Sequence, residues 1–253
     1  MIVYFSGTGN TEWVASRLST LLCDKDVLRA TEITASQLRG IRQLGICFPV
    51  HGWGIPSVVE RIISLLTPES PIPYLYMVCT CGDDIGETAS FFQQQVETRG
   101  QQARAFFSVQ MPNTYVNLPG FDVDPEELQR SKVRKAEERL NDIAQKILRQ
   151  EEIFDVVKGN FPWIKSHVIR PFFLQMLMKD SLFRVTYACI GCGHCVKVCP
   201  TGNIRMEDLH PVWLHKSECP TCMACYHSCQ VHAIAFSVFT KNKGQYLFKK
   251  LKF

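Results

Sequence analysis

Short apolar runs alternate with amphipathic stretches through the first 150 residues. Ile2 to Phe5 is a continuous apolar run, the pattern of a strand buried on both faces of a parallel sheet. Trp13 to Leu22 then shows helical apolar spacing. Further strand-like runs fall at Val27 to Leu28, Leu44 to Val50, Leu75 to Thr80 and Ala103 to Gln110, separated by helix-like stretches at 56–66 and 86–99. This alternation predicts an α/β fold, a doubly wound parallel five-stranded sheet. Asp124 to Ile147 reads as a closing amphipathic helix. Leu128, Ala136, Leu140, Ile143, Ala144 and Ile147 share a face, Pro125 sits in the first turn, and Glu126 and Glu127 complement the dipole. The first domain is expected to span 1–150.

Residues 151–182 read as a helical connector carrying Trp163, Phe172, Phe173, Met176, Leu177 and Met178. Pro171 interrupts it, and Arg170 and Lys179 bound its apolar part, so it is too short to span a membrane. Packing between two domains is the expectation; a membrane-surface helix is the alternative. A small cysteine-rich domain is expected over 183–240. The tail, 241–253, carries five lysines with Tyr246, Phe248 and Phe253, and reads either as a docking strand or as a solvated end.

Composition changes the picture little, and charge somewhat more. The chain has 253 residues, 46% hydrophobic and 21% charged, which is ordinary for a globular protein. The net charge of +4 is uneven: residues 151–253 carry 13 basic and 7 acidic side chains, a balance of +6, against −2 for residues 1–150. No basic motif or aromatic platform for nucleic acid accompanies that excess. The start has neither a basic n-region nor a long apolar h-region, and no uncharged apolar run reaches the roughly 18 residues of a membrane helix. The expected location is cytoplasmic, with no transmembrane segment.

The candidate chemistry is concentrated in two cysteine runs. Cys189, Cys192, Cys195 and Cys199 have the spacing C-x2-C-x2-C-x3-C, and Cys219, Cys222, Cys225 and Cys229 repeat it thirty residues later. The isoleucine after each run recurs too, as Ile204 and Ile234. A disulfide framework would need an oxidising compartment, and a tetrahedral zinc site has no use for a third cysteine in each run. The spacing resembles that of bacterial ferredoxins, in which the fourth cysteine of each run ligates the other cluster. The resemblance implies one 4Fe-4S cluster on Cys189, Cys192, Cys195 and Cys229, and another on Cys219, Cys222, Cys225 and Cys199.

Ser6-Gly7-Thr8-Gly9-Asn10-Thr11 stands between the first strand and the first helix. Glycines permit close approach of a ligand, and the helix-start N–H groups and three hydroxyls can donate to a phosphate. A capped helix start is the plainer reading, but capping needs only one such side chain. The loop resembles the phosphate loop of flavodoxins at every defined position, which implies flavin mononucleotide (FMN). In the flavodoxin strand order 2-1-3-4-5, the ligand lies beyond the carboxyl ends of the strands. That places Pro49, Val50, His51, Gly52, Trp53 and Gly54, and then Thr80, Cys81, Gly82, Asp83, Asp84 and Gly86, at the flavin. Trp53 is the candidate to stack on the ring, the other reading being an aromatic capping the sheet edge. Asp83 or Asp84 is expected to cap the following helix. Cys79 reads as core and Cys81 as a flavin neighbour. The last loop lacks the tyrosine found there in many flavodoxins, and Tyr115 is the substitute candidate for the second flavin face.

As a whole, the chain resembles the flavodoxin-ferredoxin fusion proteins. Gln230 departs from their pattern, where proline usually follows the eighth cysteine. The resemblance implies an electron-transfer protein passing electrons between FMN and two clusters. The alternative is a flavin-dependent reductase of a small molecule fed by those clusters, with His51, Cys81 and Tyr115 as its only candidate acids or bases. An iron or oxygen sensor would need a partner or nucleic-acid surface that is not evident. The expected partners are redox proteins acting as donor and acceptor, with a homodimer as a further arrangement to test.

Overall fold

A computed structural model describes residues 1–118, 120–215 and 219–251. Its centre is a parallel sheet built from β1 (Ile2–Tyr4), β2 (Val27–Arg29), β3 (Gln43–Pro49), β4 (Tyr74–Cys81), β5 (Ala103–Gln110) and β6 (Ile153–Asp155), in the order β2-β1-β3-β4-β5-β6. All five pairings are parallel. Every residue of β4 is buried, as a central strand covered on both faces requires.

Alternate residues of the strands feed two cores. Ile2, Tyr4, Cys47, Tyr76, Val78 and Phe107 pack with α1 (Asn10–Leu22) and α4 (Glu126–Leu148). Val3, Phe5, Ile46, Phe48, Met77 and Cys79 pack with α2 (Ser57–Ser64) and α3 (Thr88–Glu97). The fold is therefore doubly wound.

The sheet has six strands where five were expected. Residues 153–155, inside the expected connector, pair with Ala105–Phe107 at the sheet edge. Ile-Phe-Asp after two glutamates has no run long enough to show a period of two. In α4, Leu128 is exposed, while Val133 joins the buried stripe.

The connector helix runs through α5 (Pro162–Ile164), a π-helical turn (Lys165–Ile169) and α6 (Arg170–Met176). One side of it packs on the larger domain, and the segment that follows reaches the cysteine-rich module through Asp180, which accepts from Asn203 Nδ2 at 2.8 Å. Ser166 and Phe173 are buried, whereas Trp163, Val168 and Phe172 on its other side are exposed.

The cysteine-rich module comprises β7 (Phe183–Val185), α7 (His194–Val198), β8 (Ile204–Glu207), β9 (His210–Trp213), α8 (Ala224–Ser228) and β10 (Ile234–Phe236). β7 pairs antiparallel with β10, and β8 with β9. Phe183, stacked on Trp213 at 5.0 Å and edge-on to Phe236 at 5.0 Å, centres a small core that Val116 of the larger domain also enters.

The tail docks rather than staying solvated. Tyr246 and Leu247 are buried, the Phe248 N–H donates to Thr8 O at 2.9 Å, and the Phe248 ring stacks on Trp13 at 5.1 Å. Phe253 lies outside the described residues.

Candidate cofactor sites

The crossing of the two cysteine runs is visible in the packing. Cys189, Cys192, Cys195 and Cys229 line one small cavity together with Ile190, Met206 and Ile234. Cys199, Cys219, Cys222 and Cys225 line another, with Phe183, Trp213 and Met223. In each set three sulfurs come from one run and the fourth from the other. Burial raises the Cys195 thiol, and the nearby Cys192 and Cys229 thiolates add to that rise. In the second set, burial pushes Cys219 and Cys222 up to about 12 and holds Cys225 well above its ordinary value, with Cys199 raising all three. Burial of four thiolates is costly without a compensating cation, and iron supplies that charge. The backbone contributes as well: Asn203 N–H donates to Cys199 Sγ at 3.3 Å and Ala233 N–H to Cys229 Sγ at 3.2 Å. Among the described residues, no three His, Cys, Asp or Glu side chains converge on a single-ion site. A cubane, whose irons occupy separate corners, does not require that convergence.

A larger cavity of about 410 Å³ opens beyond the carboxyl ends of the strands. Its size falls in the range of about 300–1,000 Å³ typical of small-molecule sites. Ser6, Gly7, Thr8, Asn10 and Thr11 line it, as do Pro49, Val50, His51, Gly52 and Trp53, and Thr80, Cys81, Gly82, Asp83, Asp84 and Tyr115. Three loops far apart in sequence therefore meet where a switch-point ligand would lie.

Gly9, Gly54 and Gly86 stand outside that wall. A methyl group at Gly9 would meet the Phe248 Cβ at 3.0 Å, so the tail covers this side of the loop. At Gly54 it would meet the Arg170 guanidinium, and at Gly86 the Ser166 Oγ at 2.5 Å, so both admit the connector helix.

Several side chains have jobs other than those the sequence suggested. α3 begins at Thr88 with no side-chain cap, four residues beyond Asp84, which is too far for either aspartate to cap it. Asp84 instead accepts a hydrogen bond from Trp53 Nε1 at 3.0 Å and pairs with Lys165. Trp53 has φ 54, in the left-handed region, with Lys165 Nζ 5.7 Å from its ring and Phe173 edge-on at 5.7 Å. Tyr115 stacks near-parallel to Phe173 at 6.4 Å, and its buried hydroxyl has no hydrogen-bond partner among the described residues. Burial raises the pKa of Tyr115 and pushes the Cys81 thiol up to about 12, so both remain protonated at neutral pH.

The loop from Ser6 to Thr11 is braced by hydrogen bonds within it and to its neighbours. Gly9 N–H donates to Ser6 Oγ at 3.1 Å, Thr11 and Thr80 hydroxyls share a bond of 2.8 Å, and Asn10 bonds Pro112 O and Tyr246 Oη. No side chain caps α1, which leaves its first N–H groups free to face an anion.

Sequence reasoning missed the far wall of this cavity. Thr221, Cys222 and Met223 of the cysteine-rich module line it. A methyl group at Gly7 would stand 2.7 Å from Cys222 O, 2.9 Å from its Cβ and 3.3 Å from its Sγ. His51 Nδ1–H donates to Pro220 O at 2.9 Å, between Cys219 and Thr221. His227 Nε2–H donates to Thr114 O at 2.9 Å while its Nδ1 accepts from Tyr246 N–H. The repeat alone could not have revealed which run faces the larger domain.

Residues 188–234 match the family model of the 4Fe-4S dicluster domain. No curated protein sequence matches the chain. Among solved structures, the two-electron reduced flavodoxin of Megasphaera elsdenii is similar at 22% identity, with 57% of this chain and 97% of that chain covered and a TM-score of 0.40. A flavodoxin of Streptococcus pneumonia TIGR4 is similar at 18% identity, over 59% and 97% of the two chains, with a TM-score of 0.41. Fusobacterium nucleatum flavodoxin bound to flavin mononucleotide is similar at 13% identity, over 59% and 96%, with a TM-score of 0.41.

The strand order and the paired cysteine cavities define a doubly wound α/β domain joined to an iron–sulfur dicluster module. The dicluster match covers the module alone, and the parallel sheet in the order β2-β1-β3-β4-β5-β6 precedes it in the chain.

Proposed function

We propose that the chain binds FMN in the 410 Å³ cavity and passes electrons between it and the inner of two 4Fe-4S clusters. The observation that carries this reading is the position of Cys222, which lines both the inner cysteine cavity and the larger one. A cluster held there has its ligand in contact with the phosphate loop. FMN would supply a centre able to exchange electrons singly or in pairs, matching one-electron clusters to two-electron partners.

The chain's own groups fit that ligand. Free N–H groups at the start of α1, with the Thr8 hydroxyl, would hold the phosphate. Trp53, fixed by Asp84, and Tyr115, backed by Phe173, offer aromatic surfaces for the ring. Among the described residues the Tyr115 hydroxyl, a buried donor, has no acceptor, and a heteroatom of the ring would supply one. In this reading, residues 1–150 carry the flavin site and 183–240 the clusters. The connector and tail then hold the two at fixed distance.

The test uses anaerobically purified holoprotein. Reducing the clusters should reduce the flavin at a rate independent of protein concentration, because donor and acceptor share one chain. A rate rising linearly with dilute protein would assign the clusters to another molecule's flavin. Riboflavin binding as tightly as FMN would remove the phosphate loop from the site.

A further inference from the structure

The connector helix is amphipathic in the reverse sense. Lys165, Ser166 and Arg170 point into the protein, while His167 and Gln175 are exposed. Lys165 pairs with Asp84, Ser166 Oγ bonds Trp53 O and Glu87 N, and Arg170 donates to the carbonyls of His51, Gly52 and Ile55. Its large apolar groups point outward. Phe161 is 74% exposed, Trp163 61%, Ile164 45%, Val168 55%, Phe172 59% and Met176 56%. Phe161, Ile164, Val168, Phe172 and Met176 follow spacings of three or four, one stripe along the helix. Single exposed apolar residues are ordinary, but a contiguous stripe of this kind marks a contact.

Charge decides what covers it. No carboxylate occurs between Asp155 and Asp180, a stretch that holds Lys158, Lys165, His167, Arg170 and Lys179. Lys165 and Arg170 are turned inward, while Lys158 is part-exposed beside its Glu87 partner and Lys179 is exposed at the far rim. An apolar stripe with Trp and Phe, with Lys158 and Lys179 toward its two ends and the Glu60 carboxylate beside Arg170, suits an anionic lipid surface. A second copy of the chain fits less well, since pairing would bring the same cations together.

We propose that the helix from Phe161 to Met176 is a membrane-surface anchor that lies in the headgroup layer of an anionic bilayer. The inner face of the same helix contributes Lys165 and Phe173 to the wall of the large cavity. Docking would therefore hold that cavity about one helix diameter, roughly 10 Å, from the bilayer. The anchoring stands independently of which ligand the cavity takes.

Flotation of holoprotein with vesicles tests this. Phosphatidylglycerol vesicles should carry the protein, phosphatidylcholine vesicles should carry at least tenfold less, and salt should weaken the binding. Val168→Ser with Phe172→Ser should reduce binding to phosphatidylglycerol at least tenfold while leaving iron content and thermal unfolding unchanged, because both side chains are exposed. Lys179→Gln should cause a smaller loss. Failure to float, or flotation indifferent to the double substitution, would overturn the proposal. So would a dimer in sedimentation that the double substitution makes monomeric, which would assign the stripe to a second copy.

Discussion

The two cysteine runs share one spacing and occupy opposite environments. In the outer set, Cys192 is exposed and the neighbouring Ile190 is 70% exposed. In the inner set, Cys225 is buried and Cys222 abuts Gly7. The backbones of the two turns are nearly the same: Gly191 and Gly193 have φ 67 and 68, and their counterparts Thr221 and Met223 have φ 50 and 58. Glycine takes that conformation without strain, whereas a side-chain-bearing residue incurs roughly 1–3 kcal/mol. The outer turn uses glycine. The inner turn carries the strain because Thr221 and Met223, both buried, seal the module against the larger domain. Ligand spacing therefore fixes the cluster chemistry, and what packs on each run separates the two: the outer set faces solvent, the inner set faces the cavity.

The largest test of that difference removes one ligand from each set. Cys192→Ala and Cys222→Ala should each lower iron from about eight to about four per chain, since each set holds one cubane. Only Cys222→Ala should abolish flavin reduction by the remaining cluster. Iron and labile-sulfide assays with stopped-flow absorbance would read this, and equal flavin reduction in both variants would erase the inner–outer distinction.

A wedge at the contact should have the next largest effect. Gly7→Val places carbon within 2.7 Å of Cys222 O, where the backbone has no room to yield. Overpacking of this kind costs about 1–3 kcal/mol. Flavin affinity and the cluster-to-flavin rate should fall together by roughly ten- to a hundredfold on that scale, with cluster content preserved. An unchanged rate would mean that the Gly7–Cys222 contact is not on the electron path.

Met223→Gly reverses the strain argument. It should relieve the left-handed backbone but open the seal, leaving backbone stability within about 1–2 kcal/mol of wild type as the two effects oppose. The inner cluster should then lose iron to a chelator at a rate nearer that of the outer one. Were the two clusters to keep their difference in chelator sensitivity, sealing by Met223 would not be its cause.

Much of this arrangement is legible in the sequence because it is local. The cysteine repeat names its ligands by spacing, and Ser6 to Thr11 announces a loop between strand and helix. The strands β3, β4 and β5 are long enough for their apolar runs to be seen. What stayed hidden is relational. β6 is three residues long and exists only because β5 offers an edge. In the sequence Arg170 only bounds an apolar stretch, and it is the tertiary packing that turns it and Lys165 inward and leaves Phe172 outside. Asp84 looks like a cap and serves instead as a brace for Trp53. Likewise, nothing in the second cysteine run signals that Cys222 faces Gly7, because no local pattern encodes a contact between modules.

The smallest expected effect concerns His51, the hydrogen-bonded link between the cavity and the inner run. Burial holds its pKa down to about 4, the Pro220 carbonyl pulling the other way and Arg170 adding to the fall. An unfolded imidazole titrates near 6.5. Above that pH, His51 is neutral in both states and its contribution to stability is complete. As pH falls from about 6.5 toward about 4, the unfolded chain takes up a proton that the folded chain refuses, and the contribution is lost. His227, also held down to about 4 by burial, acts in the same direction, so variants must be compared with one another. His51→Asn keeps an N–H donor for Pro220 but cannot titrate, and should flatten the pH dependence of the unfolding midpoint over that window. His51→Leu leaves the Pro220 carbonyl unpaired and should cost about 1 kcal/mol even at neutral pH. If the Asn variant and the native protein lose stability in parallel below pH 6.5, the proton is taken up elsewhere, and His51 contributes only its hydrogen bond.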